Sequence, residues 1–105
     1  MSWTTAIFPN LESTGSGTCG NSACHGGTNP PTIVDGDPTT TWTNLSKYMI
    51  NGAPYVGATN AGIECNLGIT TPLCGLVQMP EAPGTLSASV QTSIQTWVAC
   101  GALDN

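Results

Sequence analysis

The stretch CGNSACH at residues 19–25 is the most informative part of the sequence. It contains two thiols, Cys19 and Cys24, separated by four residues, and His25 follows the second thiol directly. His25 is also the only histidine of the chain. Thiols and imidazoles are side chains that hold metals and metal-containing cofactors. The stretch therefore predicts an attachment site for such a group close to the N-terminus.

The order of these three side chains is typical of covalent haem attachment. The common attachment string has two residues between its cysteines and a histidine after the second. The string here is similar to a variant with four intervening residues that is found in some multihaem cytochromes. Each thiol would bond to one haem vinyl group, and His25 would be the proximal ligand of the iron. The longer spacer leaves the local helix geometry open.

Met79, which precedes Pro80 in an irregular part of the sequence, is the candidate for the second axial ligand. A thioether sulfur suits this position and raises the potential of haem iron relative to two nitrogen ligands. A methionine can also be a gap-filling core residue, which is our interpretation of Met49. Because Pro80 restricts the backbone beside Met79, we predict that Met79 binds the iron.

Two simpler interpretations of the cysteines compete with haem. Cys19 and Cys24 could form a disulfide, or they could be half of a zinc site beside an incidental histidine. Zinc would need two further ligands, which Cys65 and Cys74 could supply. The adjacent cysteine and histidine, taken together with Met79, favour haem.

Composition limits the partners of the chain. The formal net charge is -5 over 105 residues, and Lys47 is the only basic side chain. Such a chain should repel nucleic acid and anionic membranes, and it has no apolar run long enough to insert into a membrane. Apolar residues are also sparse for a single domain over 1–105, so we expect something other than side chains to fill part of the interior.

Five cysteines favour an oxidising compartment, so we expect a periplasmic or extracellular protein. No signal peptide is evident at the N-terminus, so the signal has been removed or the chain is a domain of a longer exported protein. We favour a disulfide between Cys65 and Cys74, with Cys100 as a buried free thiol. Three pairings of these residues are open from the sequence alone.

The hydrophobic pattern predicts an all-α fold. Apolar residues at helical spacing indicate a helix over 4–11, a second over 43–51 and the clearest one over 87–99, capped by Ser87. Between them we predict a long loop over 26–41 and an irregular, stapled loop over 52–83. The aromatic candidates for lining a cofactor pocket are Trp42, Tyr48, Tyr55 and Trp97, and Trp3 is given no role.

With these features the chain resembles the class I c-type cytochrome family over nearly its whole length. The resemblance rests on residues 19–25, on Met79-Pro80, on IFP at 7–9 and on WVACGA at 97–102. It implies that the first and last helices cross beside one covalent haem c. It also implies axial ligation by His25 and Met79, and one-electron transport to redox partner proteins or to sister domains. The lysines with which many such cytochromes dock are absent here.

The resemblance implies a protein that is not an enzyme, because both axial positions of the iron would be filled. A haem sensor or ligand-binding haem domain is the first alternative, and it requires an open distal site or a displaceable Met79. The second alternative is a structural module stabilised by disulfides or by zinc.

Overall fold

Helices make up most of the fold. The computed structural model describes residues 1–50, 52–56, 62–69, 78–80 and 84–105. In chain order, the elements are a π-helical segment Trp3–Ile7, α1 Phe8–Leu11, α2 Pro38–Lys47, β1 Met49–Ile50, β2 Ala53–Pro54, α3 Gly62–Asn66 and α4 Ala88–Ala99. The all-α expectation needs one correction, because β1 and β2 form a small antiparallel sheet. None of the helices in the described ranges is long and apolar enough to cross a membrane.

The N-terminal helical region is confirmed, with an irregular start. The segment Trp3–Ile7 is wound as a π-helix and continues into α1. Ser2 caps it by accepting a hydrogen bond from the backbone N–H of Thr5 at 3.3 Å. Pro9 has no N–H to donate to the preceding turn, so a regular α-helical ladder cannot run through this position.

Helix α4 matches its prediction and carries the centre of the core. Ser87 caps it by accepting from the N–H of Val90. Trp97 is 1% exposed and stacks on Trp3, with ring centroids 5.0 Å apart and 24° between the planes. Trp3, to which the sequence analysis assigns no role, is fully buried. The N-terminal helical segment and α4 are therefore in direct contact.

The second helix begins earlier than its pattern predicts. Helix α2 starts at Pro38, inside the predicted loop over 26–41, and ends at Lys47. Asp37 is its N-cap and accepts from the N–H of Thr40 at 2.9 Å. The Asp37-Pro38 pair is therefore an initiation signal inside that predicted loop, because proline is well tolerated in the first turn.

The end of that predicted helix is also wrong. Met49 lies on β1 and is 53% exposed, so it is neither helical nor a core residue. Gly52, which follows the predicted helix directly, has a φ of +77° between the two strands. A left-handed conformation of this kind favours glycine, and it lets the chain reverse into β2.

The predicted irregular loop over 52–83 contains more structure than expected. Besides β2, it holds α3, whose Ile63 is 2% exposed. A helix of this length is too short for its hydrophobic period to be recognised in a sequence. Cys65 lies on α3 and is disulfide-bonded. Its predicted partner Cys74 lies outside the described residues. Cys100 is a free thiol, as predicted, but it is exposed at the C-cap of α4 rather than buried.

We predict that Trp97→Ala lowers the free energy of unfolding by about 3–5 kcal/mol, because it removes a fully buried ring and leaves a cavity against Trp3. The control is Gln95→Ala on the exposed face of the same helix, which should change stability by less than about 0.5 kcal/mol. Urea denaturation measures both variants. Equal losses would show that the stacked pair does not anchor the core.

The disulfide prediction is tested by peptide mapping under non-reducing conditions. We expect one cross-linked pair of peptides that contain Cys65 and Cys74, and an alkylated, unpaired Cys100. Cys65→Ser should lower the free energy of unfolding by on the order of 2–4 kcal/mol. Cys100→Ser is the matched control, since it removes an exposed free thiol. A cross-link to Cys100 would contradict the pairing.

Candidate functional site

One cavity brings together the four residues that the sequence singled out. Cys19, Cys24, His25 and Met79 all line it, although Met79 is far from the other three in the sequence. Its volume is about 180 Å³, more than ten times the roughly 15 Å³ needed to hold one water molecule. The cavity is therefore much larger than the space that a single buried water molecule occupies.

The walls of the cavity are largely apolar. They are formed by buried side chains from α1, α2, α3 and the segments that connect the elements: Leu11, Ile33, Leu45, Tyr55, Ile63 and Leu67. No Asp, Glu, Lys or Arg side chain is among the described lining residues. Apolar walls with a few well-placed polar groups are typical of sites for small molecules and cofactors. An apolar macrocycle that is held at its edge by thiols fits this lining.

His25 is held so that one ring nitrogen is available to a metal. Its Nδ1 lies 3.0 Å from the backbone carbonyl oxygen of Asn29. A carbonyl oxygen can only accept a hydrogen bond, so Nδ1 carries the proton and Nε2 keeps its lone pair. Metal-binding histidines characteristically donate their other ring N–H in this way, which fixes the orientation of the ring. The imidazole therefore meets the requirement for an iron ligand.

The four-residue spacer folds into successive turns rather than a helix. The N–H of His25 donates to the carbonyl oxygen of Cys19 at 2.9 Å, and the N–H of Cys24 donates to that of Asn21 at 2.8 Å. Gly26 packs so closely against the backbone of Gly20 that a Cβ would lie 2.8 Å from its carbonyl carbon. We call residues 19–25 the attachment loop. Its two ends are thus brought together by backbone contacts.

Both cysteines of the attachment loop are free thiols and half-buried. Burial raises the pKa of Cys19 to about 11, with a further increase from the neighbouring Cys24. Cys19 therefore keeps its proton at neutral pH and is a weak nucleophile on its own. A role as a reactive thiolate is disfavoured, whereas an S–H group facing a bound partner is compatible with this environment.

Met79 is fixed to the end of α3. Its backbone N–H donates to the carbonyl oxygen of Asn66 at 2.8 Å, and its side chain packs against the core. Met79 and His25 also line a second cavity, together with Tyr48 and other residues. Both candidate ligands, His25 and Met79, therefore line two cavities.

Two of the four aromatic candidates lie at the site. Tyr55 lines the cavity, and its hydroxyl donates to Oδ1 of Asn66 at 2.9 Å. Desolvation raises the pKa of Tyr55, so this hydroxyl stays protonated. Tyr48 contacts Tyr55 edge-on at a centroid distance of 5.3 Å. Trp42 and Trp97 are absent from both described cavity linings, and their indoles donate to backbone carbonyls near the C-terminus.

Sequence reasoning missed two amide residues, Asn29 and Asn66. Asn29 provides the carbonyl that orients His25, and Asn66 contacts both Met79 and Tyr55. Each contact with a ligand runs through a backbone carbonyl, which every residue possesses. No side-chain signal could have identified these two positions.

The zinc interpretation loses its ligands. Among the described residues, no three His, Cys, Asp or Glu side chains are grouped so that they could hold a metal ion. Cys65, which that interpretation needs as a thiolate ligand, is disulfide-bonded. A disulfide sulfur has no thiolate to offer, so the part of the chain that the structure describes does not supply the set that this interpretation requires.

Comparison with known proteins adds no family to this picture: no family model, curated protein or solved structure matches the chain. The functional assignment therefore rests on the residues that line the cavity.

Proposed function

We propose that this protein carries one covalently attached haem c and transfers single electrons. One observation supports this above all others: two free thiols, a metal-competent histidine and a methionine line the same apolar cavity. Each of these groups has a separate task in a c-type cytochrome. Their convergence from distant parts of the sequence is not required by any of the simpler interpretations.

Cys19 and Cys24 are the attachment residues in this proposal. Each S–H would add across one vinyl double bond of the haem, with sulfur bonding to one carbon and hydrogen to the other, so no group would leave. Cys19 retains its hydrogen because burial raises its pKa to about 11. Neither thiol is consumed by a disulfide, so both are available for this reaction.

His25 and Met79 are the proposed axial ligands. The contact with Asn29 leaves Nε2 of His25 free to bind iron, and the sulfur of Met79 supplies a softer ligand. When bound, the haem supplies an iron that cycles between its ferrous and ferric states. Apolar side chains line the cavity beside both residues, and an apolar surrounding is one of the factors that set the potential of haem iron. We propose electron transport without catalysis, since neither ligand leaves a position for substrate.

The partners follow from charge. The formal net charge is -5 and Lys47 is the only basic side chain, so a partner cannot be guided by a ring of lysines. We propose that redox partner proteins, or sister domains of a longer chain, dock through neutral contacts or present a basic surface. The proposed location is the periplasm or the cell exterior, where the disulfide of Cys65 would persist.

The first test is covalent attachment. The mature protein should exceed the mass of the polypeptide by one haem, and its reduced absorption bands should survive acid–acetone extraction. Cys19→Ala and Cys24→Ala should each leave a single thioether or poorly assembled haem. Cys100→Ala is the matched control, because Cys100 is free but exposed on α4, and it should retain full attachment. A protein with the mass of the bare polypeptide would refute the proposal.

The second test concerns Met79. Met79→Ala should lower the midpoint potential by on the order of 0.1 V, within the roughly 0.8 V range that axial ligation spans. It should also open the iron to added cyanide or imidazole. Met49→Ala is the matched control, since Met49 is 53% exposed and should leave the potential unchanged.

The oxidised spectrum separates the alternatives for this residue. Loss of the weak ligand-charge-transfer band near the red edge in Met79→Ala, and its retention in Met49→Ala, is the expected pair of results. An unchanged band in Met79→Ala would rule out this ligand. Ready binding of cyanide by the unmodified protein would instead favour the ligand-binding haem domain.

A further inference from the structure

Two carboxylates tie together the chain segments on either side of the attachment loop. Asp35 accepts hydrogen bonds from both the backbone N–H of Ser13, at 2.8 Å, and its hydroxyl. In the opposite direction, the Glu12 carboxylate accepts from the N–H of Gly36 at 2.6 Å. We call Glu12, Ser13, Asp35 and Gly36 the carboxylate clamp. Glu12 and Ser13, which precede the attachment loop, are thus hydrogen-bonded to Asp35 and Gly36, which follow it.

The clamp packs directly on the residue that follows Cys19. The N–H of Gly20 donates to the carbonyl oxygen of Leu11 at 2.8 Å. A Cβ at Gly20 would lie 2.5 Å from Oδ1 of Asp35 and 2.8 Å from the backbone nitrogen of Ser13. Only glycine leaves room for the clamp here. The position of Cys19 is therefore coupled to that of the Asp35 carboxylate.

The same downstream segment also contacts the other end of the loop. The N–H of Ile33 donates to the carbonyl oxygen of His25 at 2.8 Å. Ile33 is anchored in the apolar wall of the cavity. Residues 33–36 thus touch the attachment loop near Cys19 through Asp35 and at His25 through Ile33. Residues 33–36 therefore help to set the distance between Cys19 and His25.

The clamp depends on an ionised carboxylate. Hydrogen bonds from the hydroxyl and the N–H of Ser13 lower the pKa of Asp35, so it is charged at neutral pH. Both carboxylate oxygens accept from Ser13. Hydrogen bonds to a charged acceptor are stronger than neutral ones, which suits a tether between two exposed loops.

We infer that Asp35 is a positioning residue that holds Cys19 at the cavity for thioether formation. The inference rests on the proposed function, because it assigns the purpose of the clamp to haem attachment. Cys24 and His25 are adjacent in the chain, so the hydrogen bond between Ile33 and His25 holds both. Cys19 is at the far end of the four-residue spacer and needs an anchor of its own, which the clamp provides.

The experiment compares Asp35→Ala with the milder Ser13→Ala, which removes only the hydroxyl donor. Asp104→Ala is the control, since it removes the same charge at an exposed site near the C-terminus. Two measurements are made on the assembled protein: hydrogen exchange of the Gly20 amide, and the fraction of chains in which Cys19 can be alkylated. The second measurement reports attachment at Cys19 alone, which a general loss of stability would not single out.

In Asp35→Ala we expect the Gly20 amide to exchange about tenfold faster, while amides of α4 are unchanged. The fraction of alkylated Cys19 should rise severalfold while Cys24 stays attached. Ser13→Ala should change both quantities in the same direction but less. Asp104→Ala should match the unmodified protein in both.

Two results would overturn the inference. Exchange and alkylation equal to those of Asp104→Ala would show that Asp35 positions nothing, and faster exchange with full attachment at Cys19 would make the clamp a structural contact only. Failure of the proposed function is distinguishable, since the unmodified protein would then carry no covalent haem. In that case the Gly20 exchange rate alone decides whether Asp35 holds the residue beside Cys19.

Discussion

The stacked pair of Trp3 and Trp97 is the interaction on which the site depends. It joins the first helical segment to α4, and both rings are almost fully buried. Trp3 is further fixed by its indole N–H, which donates to the Pro38 carbonyl at the start of α2 at 2.8 Å. The stack therefore sets the direction of the N-terminal helical region. Leu11 is the last residue of that region and lines the cavity. Its carbonyl oxygen accepts a hydrogen bond from the N–H of Gly20 in the attachment loop.

An apolar cavity in so small a domain needs a physical explanation. Side chains around an empty space lose dispersion contacts that a filled core would provide, and the loss increases with the volume of the space. The walls here come from distant segments, among them Leu45 on α2 and Ile63 on α3. A covalently held group would restore those contacts and connect the walls. In our proposal the cofactor is thus part of the core as well as the redox centre.

The parts of the fold and the candidate site that could be predicted are those with a local signal. Helix α4 has a cap at Ser87 and a clear apolar period, and the Cys19-to-His25 string contains its chemistry in seven consecutive residues. Met79 was identified by its residue type and by the proline that follows it. For these residues, the sequence signal that predicts the structure or the role lies in a few neighbouring residues.

The parts that could not be predicted depend on contacts across the chain. Trp3 is a core residue because its ring stacks on Trp97 of α4, and its backbone N–H donates to Oδ1 of Asn105 at 2.9 Å. The start of α2 lies inside the predicted loop over 26–41, because a proline that is common in loops can also open the first turn of a helix that an aspartate caps. The clamp between Ser13 and Asp35 joins two exposed polar loops, where a sequence gives no periodicity to follow.

The two sides of the proposed iron site are held by different contacts. His25 is adjacent to an attachment residue, donates to Asn29 and is tied to Ile33 through its carbonyl. The described tether of Met79 is one backbone hydrogen bond to Asn66, next to the disulfide-bonded Cys65. Asn66 also accepts a hydrogen bond from the Tyr55 hydroxyl. A shift of Tyr55 in the cavity wall would therefore move Asn66, and with it the backbone of Met79. In our proposal, changes in α3 would therefore reach the iron through the methionine side of the site.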